Sequence, residues 1–303
     1  MIFPADLRGL FSRNTQISFS ENQRIYLRKN FLKMDNNYFH YNLLYSCEYQ
    51  QKRGHEQFVE EHALGYLISG ESKFFTNEGT FVAKEGTIGL LRKNQLVKSL
   101  KLPSESGQPF KSINIFLDQE TLRKYASANN IGKVEPYAGA TMIDLSNNIF
   151  LKGYFESLIP YVENPQKLTQ KIAELKTNEA IELLLQTNPS LKSFLFDFQE
   201  PHKIDLEAYM NRNYHYNVPL KNFAKLTGRS LATFKRDFQK IFSLSPEKWL
   251  QQKRLQLAHY LIAEKHQKPS EVYLEVGFEN LSHFSDSFKK MFGYNASSLN
   301  IGK

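Results

Sequence analysis

Between residues 230 and 242 of this 303-residue chain, Leu231, Phe234, Phe238, Ile241 and Phe242 recur at the spacing of one buried helical face. The same period turns Ala232, Lys235, Arg236 and Gln239 toward solvent. Such a set can do recognition chemistry on base edges. An arginine grips guanine O6 and N7 with two hydrogen bonds, a lysine reaches the same acceptors, and an alanine methyl meets the thymine methyl. An ordinary solvated basic face has the same composition, so the surrounding pattern must decide between the two.

That pattern is written twice. Ser230 opens the first segment, and fifty positions later Asn280 opens a second with Leu281, Phe284, Phe288, Met291 and Phe292 on its apolar face. Serine and asparagine are both good N-cap residues. Each segment follows a short helical stretch and a turn containing glycine: 220–226 with Thr227-Gly228-Arg229, and 269–276 with Gly277-Phe278-Glu279. Two short helices joined by a tight turn make a helix-turn-helix, and here it occurs in tandem. The second solvent face holds Ser282, Ser285 and Asp286, with Leu281 at its edge. Asp286 stands where the first unit has Arg236; it can accept from cytosine N4 but repels phosphate, so weaker, more selective reading is expected there. Arg229, Lys240, Lys289 and Lys290 are candidates for phosphate contacts, which position a protein without specifying sequence. Between the units, Ser245-Pro246 marks the start of a helix running to about Ala263, with Trp249, Leu250, Leu257, Ala258, Leu261 and Ile262 as its apolar residues. Eighteen residues span about 27 Å, against about 34 Å for one turn of B-DNA. A helix of that length can hold two recognition helices in successive major grooves.

From residue 218 to about 299 the chain resembles the AraC/XylS DNA-binding domain. The matching pieces are Phe223-Ala224 before Gly228-Arg229-Ser230, Phe238-Gln239-Lys240, Ser245-Pro246, Arg254 with Ala258, Gly277-Phe278, and Phe284-Ser285 through Phe288-Lys289-Lys290 to Gly293. The chain departs from the family pattern at Ser243, Tyr273 and Ala296, where glycine, a small residue and proline are usual. The resemblance implies a sequence-specific transcription regulator, read as an activator. Its implied partners are double-stranded DNA, RNA polymerase and a small-molecule or protein effector. The family's other half is often a cupin-like antiparallel β-barrel with a helical dimerisation segment. Ala232, Lys235, Arg236 and Gln239 coincide with the family's base-reading positions.

The residues upstream fit such a half. Short strands are expected over 64–68, 72–76, 80–83, 87–91, 96–102 and 112–116, with Gly70, Gly79 and Gly86 at turns. Tyr66, Phe74, Phe75, Phe81 and Phe116 are candidates to line their interior. Helices are expected over 119–129, 150–162 and 166–186, the last stopped by Asn188-Pro189. Leu168, Ile172, Leu175, Ile181, Leu184 and Leu185 fall near helical spacing in that segment. Either they pack on their own sheet or they pair two subunits into a homodimer. The expected fold class is α+β in two domains: a sensor and dimerisation domain over 1–190, a linker over 191–204, and an all-α DNA-binding domain over 205–303. Phe194, Leu195, Phe196 and Phe198 argue that part of the linker is packed.

Charge follows the same division. The chain holds 39 Lys+Arg and 31 Asp+Glu, a net of +8. Residues 205–303 carry 15 against 9, or +6, leaving 24 against 22, or +2, for the rest. A basic third of the chain favours a polyanionic partner. Cys47 is the only cysteine, which excludes an intramolecular disulfide and a cysteine zinc site. No apolar run reaches membrane-spanning length, and Asp6 and Arg8 interrupt any signal-peptide core; a cytoplasmic protein is expected. An enzyme would need a site. His40, His55 and His62 lack metal-ligand spacing, and the adjacent Glu60 and Glu61 would point to opposite faces of a strand. No phosphate-cradling glycine loop or nucleophile elbow is present. No metal and no cofactor are therefore expected. The alternative is a cupin-type enzyme or binding protein for which DNA binding is secondary.

Overall fold

Residues 32–34, 37–53 and 58–300 are described by a computed structural model; Asp6, Arg8 and His55 lie outside them. Period-two alternation builds the first half. Its strands are β1 (Leu32–Met34), β2 (Asn37–His40), β3 (Leu43–Glu48), β4 (Lys52–Arg53), β5 (Phe58–Val59), β6 (His62–Ser69) and β7 (Glu71–Thr76). They continue with β8 (Gly79–Lys84), β9 (Ile88–Leu91), β10 (Gln95–Leu96), β11 (Lys98–Leu102), β12 (Phe110–Leu117) and β13 (Met142–Asp144). One sheet has the order β1-β2-β3-β12-β6-β9-β13, a second β4-β11-β7-β8, and β10 pairs with β5. All pairings are antiparallel. The expected closed barrel is therefore not formed: among the described residues no ladder joins the two larger sheets. The chain passes between them at Gly70, whose φ of 87° and contact with the Leu102 carbonyl leave no room for a Cβ.

Alternate residues of the larger sheet, Leu43, Leu64, Ile88, Leu90, Ile113, Ile115 and Leu117, form one buried face. The helices that cover it are α1 (Gln119–Ala128), α2 (Ile149–Glu156), α3 (Ile159–Glu163), α4 (Gln170–Thr187) and α5 (Leu191–Phe196). The single helix expected over 150–162 is two, because Pro160 lies in the first turn of α3 and cannot continue the hydrogen bonding of α2. Leu168, Ile181 and Leu184 are buried in this core, and Ile172 and Leu185 pack partly against it. Only Leu175 of that set is exposed, at 60%. Its helical stripe is thus mostly the inner face of the protomer. Leu191, Phe194, Leu195 and Phe196, placed above in the linker, belong to the same core. Of the aromatics expected inside the sheets, Tyr66 stacks on Phe155 at 5.2 Å on the helical side, and Phe75 is exposed.

The second half is helical: α6 (Leu206–Asn213), α7 (Leu220–Leu226), α8 (Leu231–Phe242), α9 (Pro246–Ala263), α10 (Pro269–Glu275) and α11 (Leu281–Phe292). It has two cores. Phe223, Phe234 and Phe238 gather with Leu206, Met210, Tyr216, Val218, Trp249 and Leu250. Phe278, Phe284 and Phe288 gather with Val272, Val276, Leu255, Ala258, Leu261, Ile262 and Ala296. α9 supplies the first core from its N-terminal turns and the second from its C-terminal ones, so one rigid element carries both units. No helix among the described residues is long and apolar enough to cross a membrane.

Candidate nucleic-acid interface

The second helix of each unit begins from a satisfied cap. The Ser230 hydroxyl accepts from the Thr233 amide at 3.2 Å. The Asn280 side chain accepts from Ser282 at 2.8 Å and His283 at 3.2 Å. Both 12-residue helices end in left-handed residues, Gly293 with φ 84° and Ser243 with φ 56°. The serine adopts that conformation against the preference of any residue with a Cβ, at about 1 kcal/mol. Phe234 and Phe238, and Phe284 and Phe288, are fully enclosed. The opposite faces look outward: Ala232, Lys235, Arg236, Gln239 and Lys240 on α8, and Leu281, Ser282, Asp286, Lys289 and Lys290 on α11, are exposed, with Ser285 half-buried.

The charges on the first face are loosely held. Lys235 meets Glu247 of α9 at 3.2 Å and Arg236 meets Asp237 at 3.7 Å, both across solvent-exposed gaps. Pairs of this kind are worth at most about 1 kcal/mol, so DNA can displace them. Arg229 differs. Its side chain is 7% exposed, its Nε donates to Asp237 at 3.1 Å, and its Nη1 donates to the carbonyls of Ile204 and Thr227. Its Nε and Nη1 are engaged by internal partners, so it ties the connecting segment to the first unit. Ser285 Oγ also turns back, to the Leu281 carbonyl at 2.8 Å.

Two lysines escaped the sequence reading. A groove of about 310 Å3 runs beside the start of α8, lined by Lys221, Lys225, Arg229 and Leu231 together with Glu200 and Pro201. Lys221 and Lys225 are one helical turn apart on α7, the spacing that could have signalled a shared face. Arg254 lies inside. Burial lowers it to about 10, and it donates to the carbonyls of Tyr214, Tyr216 and Gly277 at 2.7–3.2 Å. It joins the two units from within.

Next to it, burial together with Lys98 and Arg254 holds His215 down to about 4, and burial with Lys93 and Arg92 holds His62 well below the usual range. Both rings are neutral in the folded chain near pH 6, whereas the unfolded chain takes up protons around pH 6.5. The unfolded state therefore binds more protons between about pH 6.5 and about pH 4, and stability falls as pH falls through that window. The urea midpoint should drop steadily there, and His215→Gln should flatten part of the slope; a midpoint independent of pH would contradict this.

No group of three or more His, Cys, Asp or Glu side chains gathers into a metal-binding cluster among the described residues. His40 bonds the Leu168 carbonyl at 3.0 Å, and His62 accepts from the Lys93 amide at 3.3 Å.

Two capped helix-turn-helix units on separate cores, joined by one rigid helix and presenting exposed polar faces, define a double helix-turn-helix DNA-binding protein. Residues 223–300 match a helix-turn-helix domain family, and residues 62–194 match the ExsA N-terminal regulatory domain. The HTH-type transcriptional regulator ExsA of Pseudomonas aeruginosa is 25% identical over 268 residues, 85% of this chain and 92% of that protein. The virulence regulon transcriptional activator VirF of Yersinia enterocolitica is 31% identical over 98 residues, 32% of this chain and 36% of that protein. A crystal structure of apo ToxT from Vibrio cholerae aligns with a TM-score of 0.40 at 12% identity, over 85% of this chain and 96% of that one. Together these matches indicate a transcription regulator of the AraC/XylS type.

Proposed function

We propose that this regulator is an activator that reads a specific double-stranded site through both units and recruits RNA polymerase from the cytoplasm beside it. The relatives support activation, VirF being described as a transcriptional activator. The observation that carries the reading is the pair of capped helices whose central phenylalanines are enclosed and whose polar faces are exposed. Ala232, Lys235, Arg236 and Gln239 contact base edges from the first unit; Leu281, Ser282, Ser285 and Asp286 do so from the second. Lys240, Lys289 and Lys290 hold phosphates, joined by Lys221 and Lys225 at the groove. Selection of sites from a random duplex pool by the full chain, followed by transcription with purified polymerase, tests it. Enrichment of one bipartite sequence with increased transcript is expected. Binding that follows salt but no sequence would refute it.

The N-terminal half acts as the sensor for an effector, small molecule or protein, and carries the homodimer contact. Leu175 is the residue of α4 available for that contact, while Leu184 is not. Leu175→Glu should halve the sedimenting mass with the fold intact. Leu184→Glu should instead unfold the protomer, since it buries an unpaired charge. A Leu175→Glu protein of unchanged mass would move the interface elsewhere.

A further inference from the structure

The two halves of the chain meet at the paired strands β5 and β10 and the residues that follow them. Phe58 of β5 and Leu96 of β10 are buried among Leu206, Met210, Tyr216, Val218 and Phe223, so the N-terminal half completes the core of the first unit. Two residues beyond Leu96, the Lys98 ammonium donates to the carbonyl of Glu275 at 2.8 Å. Glu275 is the last residue of α10, the first helix of the second unit. A cation there meets carbonyls that have no helical partner and the negative end of the helix. The ammonium also lies 5.4 Å over the Tyr216 ring. Arg254 holds the carbonyls of Tyr214, Tyr216 and Gly277. Gly277 follows α10 by two residues, and a Cβ there would press on the His215 carbonyl and the Arg254 guanidinium. A third contact, Asn77 Nδ2 donating to Asn213 Oδ1 at 2.9 Å, pins the β7–β8 turn to the end of α6.

The segment from Leu96 to Lys98 is thus seated in both units within two residues of extended chain, roughly 7 Å. It does not cover either reading face, because the outward residues of α8 and α11 stay exposed with the halves in contact. Occlusion is therefore not how the halves communicate; placement is. We propose that Leu96–Lys98 is the coupling element of the regulator, with Lys98 a positioning residue that holds the second unit where it can engage DNA together with the first. Signals received by the N-terminal half reach DNA by seating or unseating this segment. The inference rests on the assignment of the two outward faces as the DNA-reading surfaces.

Placing a cation here has a cost, which marks the contact as specific. Burial pushes Lys98 down to about 8, against the Glu275 carboxylate, which raises it, while Arg254 and Arg53 lower it further. A methionine would fill the same space without that cost and without the hydrogen bond.

The test uses the full chain and the duplex selected by the wild-type protein. The half of the site belonging to the first unit is the half whose preference Arg236→Ala relaxes. Lys98→Met should bind the intact site about tenfold more weakly, within the usual range for coupled sites. It should bind a site scrambled in the second half as the wild type does, and Lys98→Arg should restore most of the difference. A general loss of structure would weaken both sites alike. Equal affinity of Lys98→Met and wild type for the intact site overturns the proposal, as does a parallel loss on both sites. A wild-type protein that selects no sequence overturns the reading of the faces instead, so the two failures are distinguishable.

Discussion

Gly228→Ala lowers the unfolding temperature by several degrees and abolishes selective DNA binding. Gly228 has φ 65°, and a Cβ built on it falls on the backbone carbonyl of His202 and against the nitrogen of Lys203. Backbone cannot step aside as a flexible side chain does. The left-handed conformation costs about 1 kcal/mol for alanine, and forcing the connecting segment away costs about 1–3 kcal/mol more. The displacement also breaks the Arg229 bond to the Ile204 carbonyl, which fixes the residue just before the Ser230 cap. The start of α8 therefore moves with it. Circular dichroism on heating and a selection against random duplex are the measurements; a variant with the wild-type midpoint and wild-type site would show that residues 202–203 do not press on this turn.

Arg236→Ala costs about 1–3 kcal/mol on the selected site, roughly five- to 150-fold, and relaxes the preference at one base pair. The side chain is exposed toward DNA, its ionic partner among the described residues being Asp237 at 3.7 Å, which Arg229 and Lys203 already neutralise. Lys289→Ala should weaken all sequences about equally and make the salt dependence shallower. Asp286→Ala should cost little, since it removes a like charge near phosphate. A panel of duplexes carrying single base changes separates the roles. If Arg236→Ala and Lys289→Ala gave parallel profiles, the division into base and backbone contacts would be wrong.

Much of the DNA-binding half was legible because its signals are local. Caps at Ser230, Ser245 and Asn280 act within three residues, and the phenylalanine spacing shows which face is inside whatever covers it. The inward turn of Arg229 was not legible, because its partners at Ile204 and Asp237 are assembled only when the connecting segment folds back. The stripe on α4 shows the same limit. Its period identified the apolar face containing Ile181 and Leu184, but not that α2 and α5 of the same chain cover it. Upstream, β2 and β3 turn at Tyr41, which takes φ 53° without being glycine, so the usual punctuation was missing. β13 has three residues, too few for any period. Closure of the barrel depends on which strands find one another at long range, and alternation within a strand does not encode that.

The two units share a frame but not a surface, and they are strung on α9 in a set order. Regulators that pair two identical helix-turn-helix subunits read palindromes. If the two outward faces read DNA as proposed, this chain by itself would meet an asymmetric word, with the Arg236 face at one end and the Asp286 face at the other. An asymmetric word has a head and a tail, so a single protomer on DNA points in a direction. Inverting the site relative to a promoter would then present the opposite side of the protein to polymerase, and the same sequence at the same distance would no longer serve.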